Sequence, residues 1–209
     1  GFIYLPGQKK KYDKEIKSKF FERNNFIKKK ILSSSQNSIV LIYGRYSVYL
    51  EKSYFDNQEK DGKENGDWRK WFELEDNNDN FTMLFKENIE ILLKNKNLKI
   101  ILLYPIPEVG FDPKSRIINH KFFKNKITTT SYDVFKKRTK SSFELLNSIK
   151  GENIYRVYPH TLFCDTNIKD RCVTHDDKNI FYADDDHPSS KGAEMINDLI
   201  MKEIEKIEL

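Results

Sequence analysis

Long hydrophobic segments and a strong excess of one charge are both missing from this sequence. No apolar run reaches the 18 residues that a transmembrane helix needs, and no secretory signal pattern is visible. The 37 basic and 32 acidic residues are interleaved, and no basic run alternates with regularly spaced aromatics, so nucleic-acid binding is disfavoured. Because the chain opens with Gly1 instead of Met, we expect a processed chain or a fragment.

Cysteine is also scarce, since the chain contains only Cys164 and Cys172. Two cysteines cannot supply the four ligands of a structural zinc site, and their spacing is not that of a paired zinc-binding motif. Two interpretations stay open on the cysteines alone. They are either free thiols or a local disulfide, and a disulfide would indicate an oxidising compartment.

The hydrophobic pattern predicts an α/β fold. Short, continuous apolar runs predict buried strands at residues 38–43, 98–104 and 154–158. Apolar residues at helical spacing predict helices over residues 13–32, 81–93, from 131 or 133 to 150, and from 189 or 190 almost to the C-terminus. Alternating strands and helices form right-handed βαβ units, so we expect a parallel sheet with helices on both faces. No linker interrupts the pattern, which indicates one domain over residues 1–209.

Two segments show no regular pattern. Residues 56–80 are polar with scattered apolar side chains, and we expect them to form an exposed excursion on the surface. Residues 105–130 contain several prolines and follow a predicted strand, so we expect a long loop. Parallel α/β sheets gather functional side chains at the carboxyl ends of their strands, and this loop starts at one of those ends.

The most informative stretch is FYADDDHPSSKGAEMI, at residues 181–196. Asp184 lies three residues before His187, on a loop that precedes the last predicted helix, and Ser189 can cap that helix. A carboxylate and an imidazole at this spacing can form the acid–base half of a nucleophilic triad. The carboxylate fixes the imidazole tautomer, and the imidazole takes a proton from the nucleophile.

Other interpretations of the same loop stay open. Carboxylates and an imidazole could hold a divalent cation, but adjacent side chains on an extended loop point in different directions. Residues 175–177 are the only candidate for a second group of ligands. The stretch could also be an acidic surface loop without a chemical role. In the triad interpretation, Asp185 and Asp186 are bystanders that are solvated or cap the helix.

Residues 182–193 (YADDDHPSSKGA) resemble the final block of the SGNH hydrolase family. The likeness is closest to the SGNH domains fused to membrane acyltransferases that O-acetylate bacterial surface polysaccharides. Three further features are similar to that type: the strand at 38–43 followed by Gly44 and Arg45, the segment LLYPIPEVGFDP at 102–113, and the paired Cys164 and Cys172.

The resemblance implies a three-layer α/β/α sandwich around a central parallel sheet, similar to flavodoxin. It implies that Asp184 and His187 are the catalytic acid and base. Gly44 lies where the family has a contributor to the oxyanion hole. Arg45 is the neighbouring family-like residue, and we favour a structural role for it, in which it pairs with a carboxylate.

The resemblance also implies a reaction and a cellular context. The reaction is acyl transfer to, or ester hydrolysis from, a cell-envelope glycan, with an acyl donor and a glycan acceptor as partners and no metal or organic cofactor. The family pairs Cys164 with Cys172 in a disulfide and works in the periplasm or elsewhere outside the cytoplasm. A membrane acyltransferase domain, N-terminal to this chain, would tether it to the membrane.

Two departures from the family pattern matter. Pro188 stands where the family usually has Leu, and the Gly-Asp-Ser block that carries the nucleophile is not present in the sequence. We therefore expect the first strand of the sheet and the nucleophilic serine to lie outside this chain. The alternative interpretation is a domain that keeps the fold, has lost the activity and binds a glycan.

Overall fold

The computed structural model describes the backbone of residues 8–9, 14–59, 62–64, 73–74, 79–120 and 128–207, and side chains within 22–59, 62–64, 81–117 and 128–207. The elements in chain order are β1 (Gln8–Lys9), α1 (Lys14–Ser33), β2 (Ser38–Ile42), α2 (Tyr46–Glu51), β3 (Glu73–Leu74), α3 (Asp79–Leu93), β4 (Leu98–Leu103), α4 (Pro113–His120), β5 (Thr129–Ser131), α5 (Tyr132–Ser148), β6 (Ile154–Val157), a 3-10 helix (Pro159–Leu162), β7 (Arg171–Val173) and α6 (Ser190–Ile204).

The three strands predicted from the apolar runs form one parallel sheet in the order β2–β4–β6. In this sheet Val40 pairs with Ile100, and Ile101 pairs with Tyr155. The register aligns the carboxyl ends of all three strands at one edge, so the loops that follow them start close together. The predicted parallel sheet is therefore confirmed.

Strand β4 is central and is buried on both faces. On one face, Ile100 and Leu102 share a hydrophobic cluster with residues of α3 and α5. On the other face, Ile101 and Leu103 share a second cluster with residues of α6. Since side chains alternate along a strand, a continuous apolar run such as this one needs a helical layer on each side. The predicted three-layer arrangement is confirmed.

Two helices and two antiparallel strand pairs lie outside the predicted pattern. Helix α2 has only six residues, too few to show a helical period in the sequence, although its residues Tyr46, Ser47 and Val48 are buried. Helix α4 occupies part of the segment that we expected to be a loop. Strand β1 pairs with β3, and β5 pairs with β7. Within the described residues, no helix is long and apolar enough to cross a bilayer.

The polar segment predicted at residues 56–80 differs from the expectation in its first, described part. Residues 56–59 and 62–64 form a turn in which the Asn57 backbone N–H donates to the Gly62 carbonyl, and the Glu64 N–H donates to the carbonyl of Phe55. Phe55 and Asn57 are buried. Arginines outside the turn bind Glu59 and Glu64, which are only partly exposed. The other described charged residues of the turn, Asp56 and Lys63, are exposed as expected. Residues 65–72 and 75–78 lie outside the described residues.

Gly110 provides the point where this turn meets the loop after β4. Its φ is +77°, in the region that favours glycine, and a Cβ atom there would lie 2.5 Å from the Gly62 carbonyl oxygen. The atoms that a Cβ would strike belong to the backbone of Gly62, so no flexible side chain could move aside to make room. Glycine is therefore required by both conformation and space.

We predict that Gly110→Ala lowers the free energy of unfolding by about 1–3 kcal/mol, because the substitution adds both left-handed strain and a backbone clash. Urea denaturation followed by circular dichroism measures this change. Gly44→Ala is the matched control, since the nearest atom to its Cβ would be Tyr46 Cε1 at 3.8 Å. Equal losses of stability in the two variants would contradict the assignment.

Candidate active site

The loop that carries His187 is closed by its own backbone and by the start of α6. The Ala183 N–H donates to the His187 carbonyl at 2.8 Å, and the Ser189 N–H donates to the carbonyl of Phe181 at 2.9 Å. The hydroxyl of Ser189 accepts from the Gly192 N–H, as an N-cap residue does. The predicted role of Ser189 as a helix cap is confirmed. These hydrogen bonds fix the conformation of the loop just before the N-terminus of α6.

Asp184 orients the imidazole of His187. Its two carboxylate oxygens lie 3.1 Å and 3.0 Å from His187 Nδ1, within hydrogen-bonding distance. One of them also accepts from the backbone N–H groups of Asp186 at 3.0 Å and His187 at 2.8 Å, which closes a tight turn. Within the described residues Nε2 has no hydrogen-bond partner, and the side chain of His187 is 71% exposed. Nδ1 of the ring therefore faces the Asp184 carboxylate, and Nε2 is left available to a further group.

Asp186 also contacts the imidazole, so its assignment as a bystander is wrong. One of its carboxylate oxygens lies 2.8 Å from His187 Nδ1, and the other lies 3.0 Å from an Arg45 nitrogen. For Asp185 the described contacts are those of its backbone carbonyl, which accepts from the N–H groups of Val109 and Gly110, so the bystander role of its side chain stays a prediction. The turn closed by Asp184 curls the chain and brings alternate residues together, whereas our expectation assumed an extended loop.

Arg45 pairs with three carboxylates at the carboxyl edge of the sheet. Its Nε donates to Glu108 at 2.6 Å, and its two terminal nitrogens bind the carboxylate of Glu64. The third partner is Asp186. Glu108 is buried, and its other oxygen accepts from Arg138 Nε at 3.1 Å. The structural role favoured for Arg45 agrees with these contacts.

Gly44 lies at the same edge of the sheet, directly after β2 and beside Arg45. It is exposed, and no contact described in the structure joins it to Asp184 or His187. Its contribution to an oxyanion hole stays a prediction.

The charges around the imidazole shift its pKa and those of its partners. Partial burial lowers the pKa of His187, but the nearby charge of Asp186 and the hydrogen bond with Asp184 outweigh burial and raise it overall. Burial also raises the pKa of Asp184, but the backbone donors of its turn and the imidazole outweigh this effect and lower it. Burial raises the pKa of Asp186 to about 6, against the opposing charges of Arg45 and His187.

A cation site on this loop would have to break the contacts just described. Asp184, Asp186 and His187 each offer a ligand atom within 4.8 Å of the others, closer together than our extended-loop argument allowed. The nitrogen of His187 in these contacts is Nδ1, and Asp186 already has a cationic partner in Arg45. Within the described residues, the candidate second group at 175–177 is not part of this ligand cluster, and His175 Nε2 accepts from the Thr128 N–H.

The disulfide implied by the resemblance is present. Cys164 and Cys172 are joined by an S–S bond of 1.97 Å, and both residues are buried. The bond ties β7 to the segment before it, and the next residue along β7, Val173, donates to the carbonyl of Phe163 at 2.8 Å. Phe181 N–H in turn donates to the carbonyl of Thr174 at 2.9 Å. The disulfide therefore supports the chain that leads into the loop of His187.

Sequence reasoning did not find the charged partners of Arg45. Glu108 stands in the Pro-x-Pro-Glu segment that carried part of the resemblance, which was the one available signal for its importance. Glu64 and Arg138 had no signal, because one lies in a polar segment and the other on a charged helix face. Their convergence depends on tertiary structure alone.

Comparison with known proteins gives one finding. A family model described as an SGNH domain (fused to AT3 domains) matches residues 5–202. Neither the curated proteins nor the solved structures include a significant match to the chain.

We predict that His187 holds its proton to a higher pH than His160 does. Carboxylates raise the pKa of His187, whereas burial lowers that of His160. NMR titration of the imidazole C–H signals measures both midpoints in one sample. Asp184→Asn should lower the midpoint of His187 and leave that of His160 unchanged. A wild-type His187 midpoint at or below that of His160 would contradict the assigned environment.

Proposed function

The chain belongs to the family of SGNH domains that are fused to AT3 domains, and on this premise we propose that it transfers acyl groups to, or hydrolyses them from, a cell-envelope glycan. The observation that carries the proposal is the hydrogen-bonded pair of Asp184 and His187, with Nε2 of the imidazole open to solvent. This is the acid–base half of a serine-dependent acyl-transfer site.

In the proposed mechanism, Asp184 keeps the proton on Nδ1 so that Nε2 is a free base. Nε2 takes the proton of a serine hydroxyl while the serine oxygen attacks the acyl carbonyl of the donor. The tetrahedral intermediate collapses, the bond to the leaving oxygen breaks, and the imidazolium protonates that oxygen. A glycan hydroxyl or water then gives its proton to Nε2 and attacks the acyl-serine. The bond to the serine oxygen breaks as the imidazolium protonates that oxygen, which releases the acylated glycan or the free acid and restores the serine.

We assign the nucleophile to a serine in a Gly-Asp-Ser block outside this sequence. Two observations support this assignment. No described hydroxyl group forms a hydrogen bond with His187, and the sequence contains no Gly-Asp-Ser block. Backbone N–H groups near Gly44 are the candidate oxyanion donors, because this glycine follows strand β2 at the carboxyl end of the sheet. The mechanism needs no metal and no organic cofactor.

The proposed setting is the periplasm or another compartment outside the cytoplasm, with a fused membrane acyltransferase domain as the partner. The disulfide supports this setting, because disulfides persist in oxidising compartments. The acyl donor and the glycan acceptor are the small-molecule and polymer partners of the site. A membrane tether would keep the domain close to the envelope polymer that it modifies.

A second candidate function is a glycan-binding domain without activity. The lack of a hydroxyl partner for His187 among the described residues favours it. The retained pair of Asp184 and His187 argues against it, because a binding role does not need an oriented imidazole.

We predict that His187→Ala reduces aryl-acetate turnover by about 1,000-fold or more in a protein that includes the expected serine block, because the serine loses its base. Labelling by a serine-directed phosphonate should fall in parallel. His175→Gln is the matched control, since Gln keeps an acceptor for the Thr128 N–H and this position lies outside the pair.

Equal labelling and equal turnover in the wild-type and His187→Ala proteins would contradict the triad. A wild-type protein that carries the serine block, binds glycan and shows neither labelling nor turnover would support the binding domain instead.

A further inference from the structure

We propose that Asp186 is a positioning residue for His187, and that Arg45 and the buried Glu108 hold Asp186 in place. The inference rests on the proposed role of His187 as the base. It adds a second carboxylate to the one that the triad requires and connects the imidazole to the central sheet.

The two carboxylates on Nδ1 differ in what they are attached to. The described partners of Asp184, other than the imidazole, are backbone N–H groups of residues 186 and 187, within its own turn. Asp184 can therefore orient the ring relative to the loop but not relative to the rest of the domain. Asp186 joins the ring to Arg45, which follows strand β2. Among the described side-chain contacts of the ring, this second one relates the ring directly to the end of β2.

Solvent exposure also distinguishes the two carboxylates. The side chain of Asp184 is 50% exposed, whereas that of Asp186 is 15% exposed. Water screens a charge pair less when one partner is withdrawn from solvent, so the contact of His187 with Asp186 is weakened less by water. The same burial limits the rotamers that Asp186 can adopt.

Arg45 has the geometry to fix Asp186. A guanidinium is planar and presents its donors in a rigid fork, so two bound carboxylates are held in a fixed relation. Here the two terminal nitrogens bind Glu64, the Nε side binds Glu108, and one terminal nitrogen also contacts Asp186 at 3.0 Å. Glu108 is 8% exposed and also binds Arg138, and removal of either arginine would leave a buried carboxylate undercompensated. Arg45, which holds Asp186, is thus itself fixed by the buried Glu108.

The backbone supplies a second, independent connection. The N–H groups of Val109 and Gly110 both donate to the carbonyl of Asp185, at 2.8 Å and 3.3 Å. These two residues directly follow Glu108 in the chain. The loop after β4 therefore holds Asp185 by its main chain and Asp186 through Glu108 and Arg45.

The first experiment compares the titration midpoint of His187 in two isosteric variants of the chain, Asp186→Asn and Asp185→Asn, by NMR. The charged groups that face the ring are Asp184, Asp186 and Arg45, with Asp185, Glu64 and Glu108 farther out. Both variants remove one negative charge from the same loop. We expect a fall in the His187 midpoint for Asp186→Asn that clearly exceeds the fall for Asp185→Asn. Equal shifts would overturn the proposal.

The second experiment tests whether Arg45 acts through Asp186. Arg45→Lys keeps the charge but loses the fork, so it should release Asp186 and lower the His187 midpoint. In an Asp186→Asn background, the same substitution should shift the midpoint clearly less, because only the direct effect of the cation on the ring is left. Equal effects of Arg45→Lys in both backgrounds would overturn the holding role of Arg45. If Arg45→Lys does not fold, the comparison of Asp186→Asn with Asp185→Asn still decides the role of Asp186.

These titrations do not depend on turnover, so they separate the inference from the proposed function. Loss of activity in His187→Ala together with equal midpoint shifts in the two Asp variants would overturn the inference and leave the function standing. In the active protein, Asp186→Asn should move the acidic limb of the kcat/KM profile to lower pH. The sign follows because a base with a lower pKa is unprotonated at lower pH.

Discussion

The ion pair between Arg45 and the buried Glu108 joins the ends of two neighbouring parallel strands to the loop that carries His187. Arg45 follows β2 and Glu108 lies beyond the end of β4, so the pair spans the carboxyl edge of the sheet. Glu108 is buried, so loss of its partner Arg45 would leave a carboxylate undercompensated, which makes the pairing costly to break. The site loop takes its position from this pair through Asp186.

The sheet makes that ion pair possible. Strand β4 is buried on both faces, so its neighbours are fixed in register and the strand ends lie at one edge. The turn that supplies Glu64 packs against Gly110, where the lack of a side chain permits close approach of the two backbones. The contacts that order the loops at this edge therefore also place the charges around the imidazole of His187.

Hydrophobic periodicity predicted the parallel sheet and the long helices, since a buried run and an amphipathic helix leave direct patterns in sequence. The spacing of Asp184 and His187 predicted their pairing for a similar local reason. The contact of Asp186 was not predictable in this way. It depends on a tight turn, in which the Asp184 carboxylate accepts hydrogen bonds from two backbone N–H groups. It also depends on Arg45, which is distant in sequence. The contacts of Glu59 and Glu64 were likewise not predictable, because their arginine partners come from other elements.

The central claim is that Asp184 holds His187 with its proton on Nδ1, so that Nε2 can act as the base. The most direct test is a two-bond proton–nitrogen NMR spectrum of the His187 ring at a pH above its titration midpoint. The account predicts that Nδ1 is protonated and that Nε2 has the chemical shift of an unprotonated nitrogen. A ring protonated on Nε2 instead would contradict the account, since that nitrogen could not accept a proton from a nucleophile.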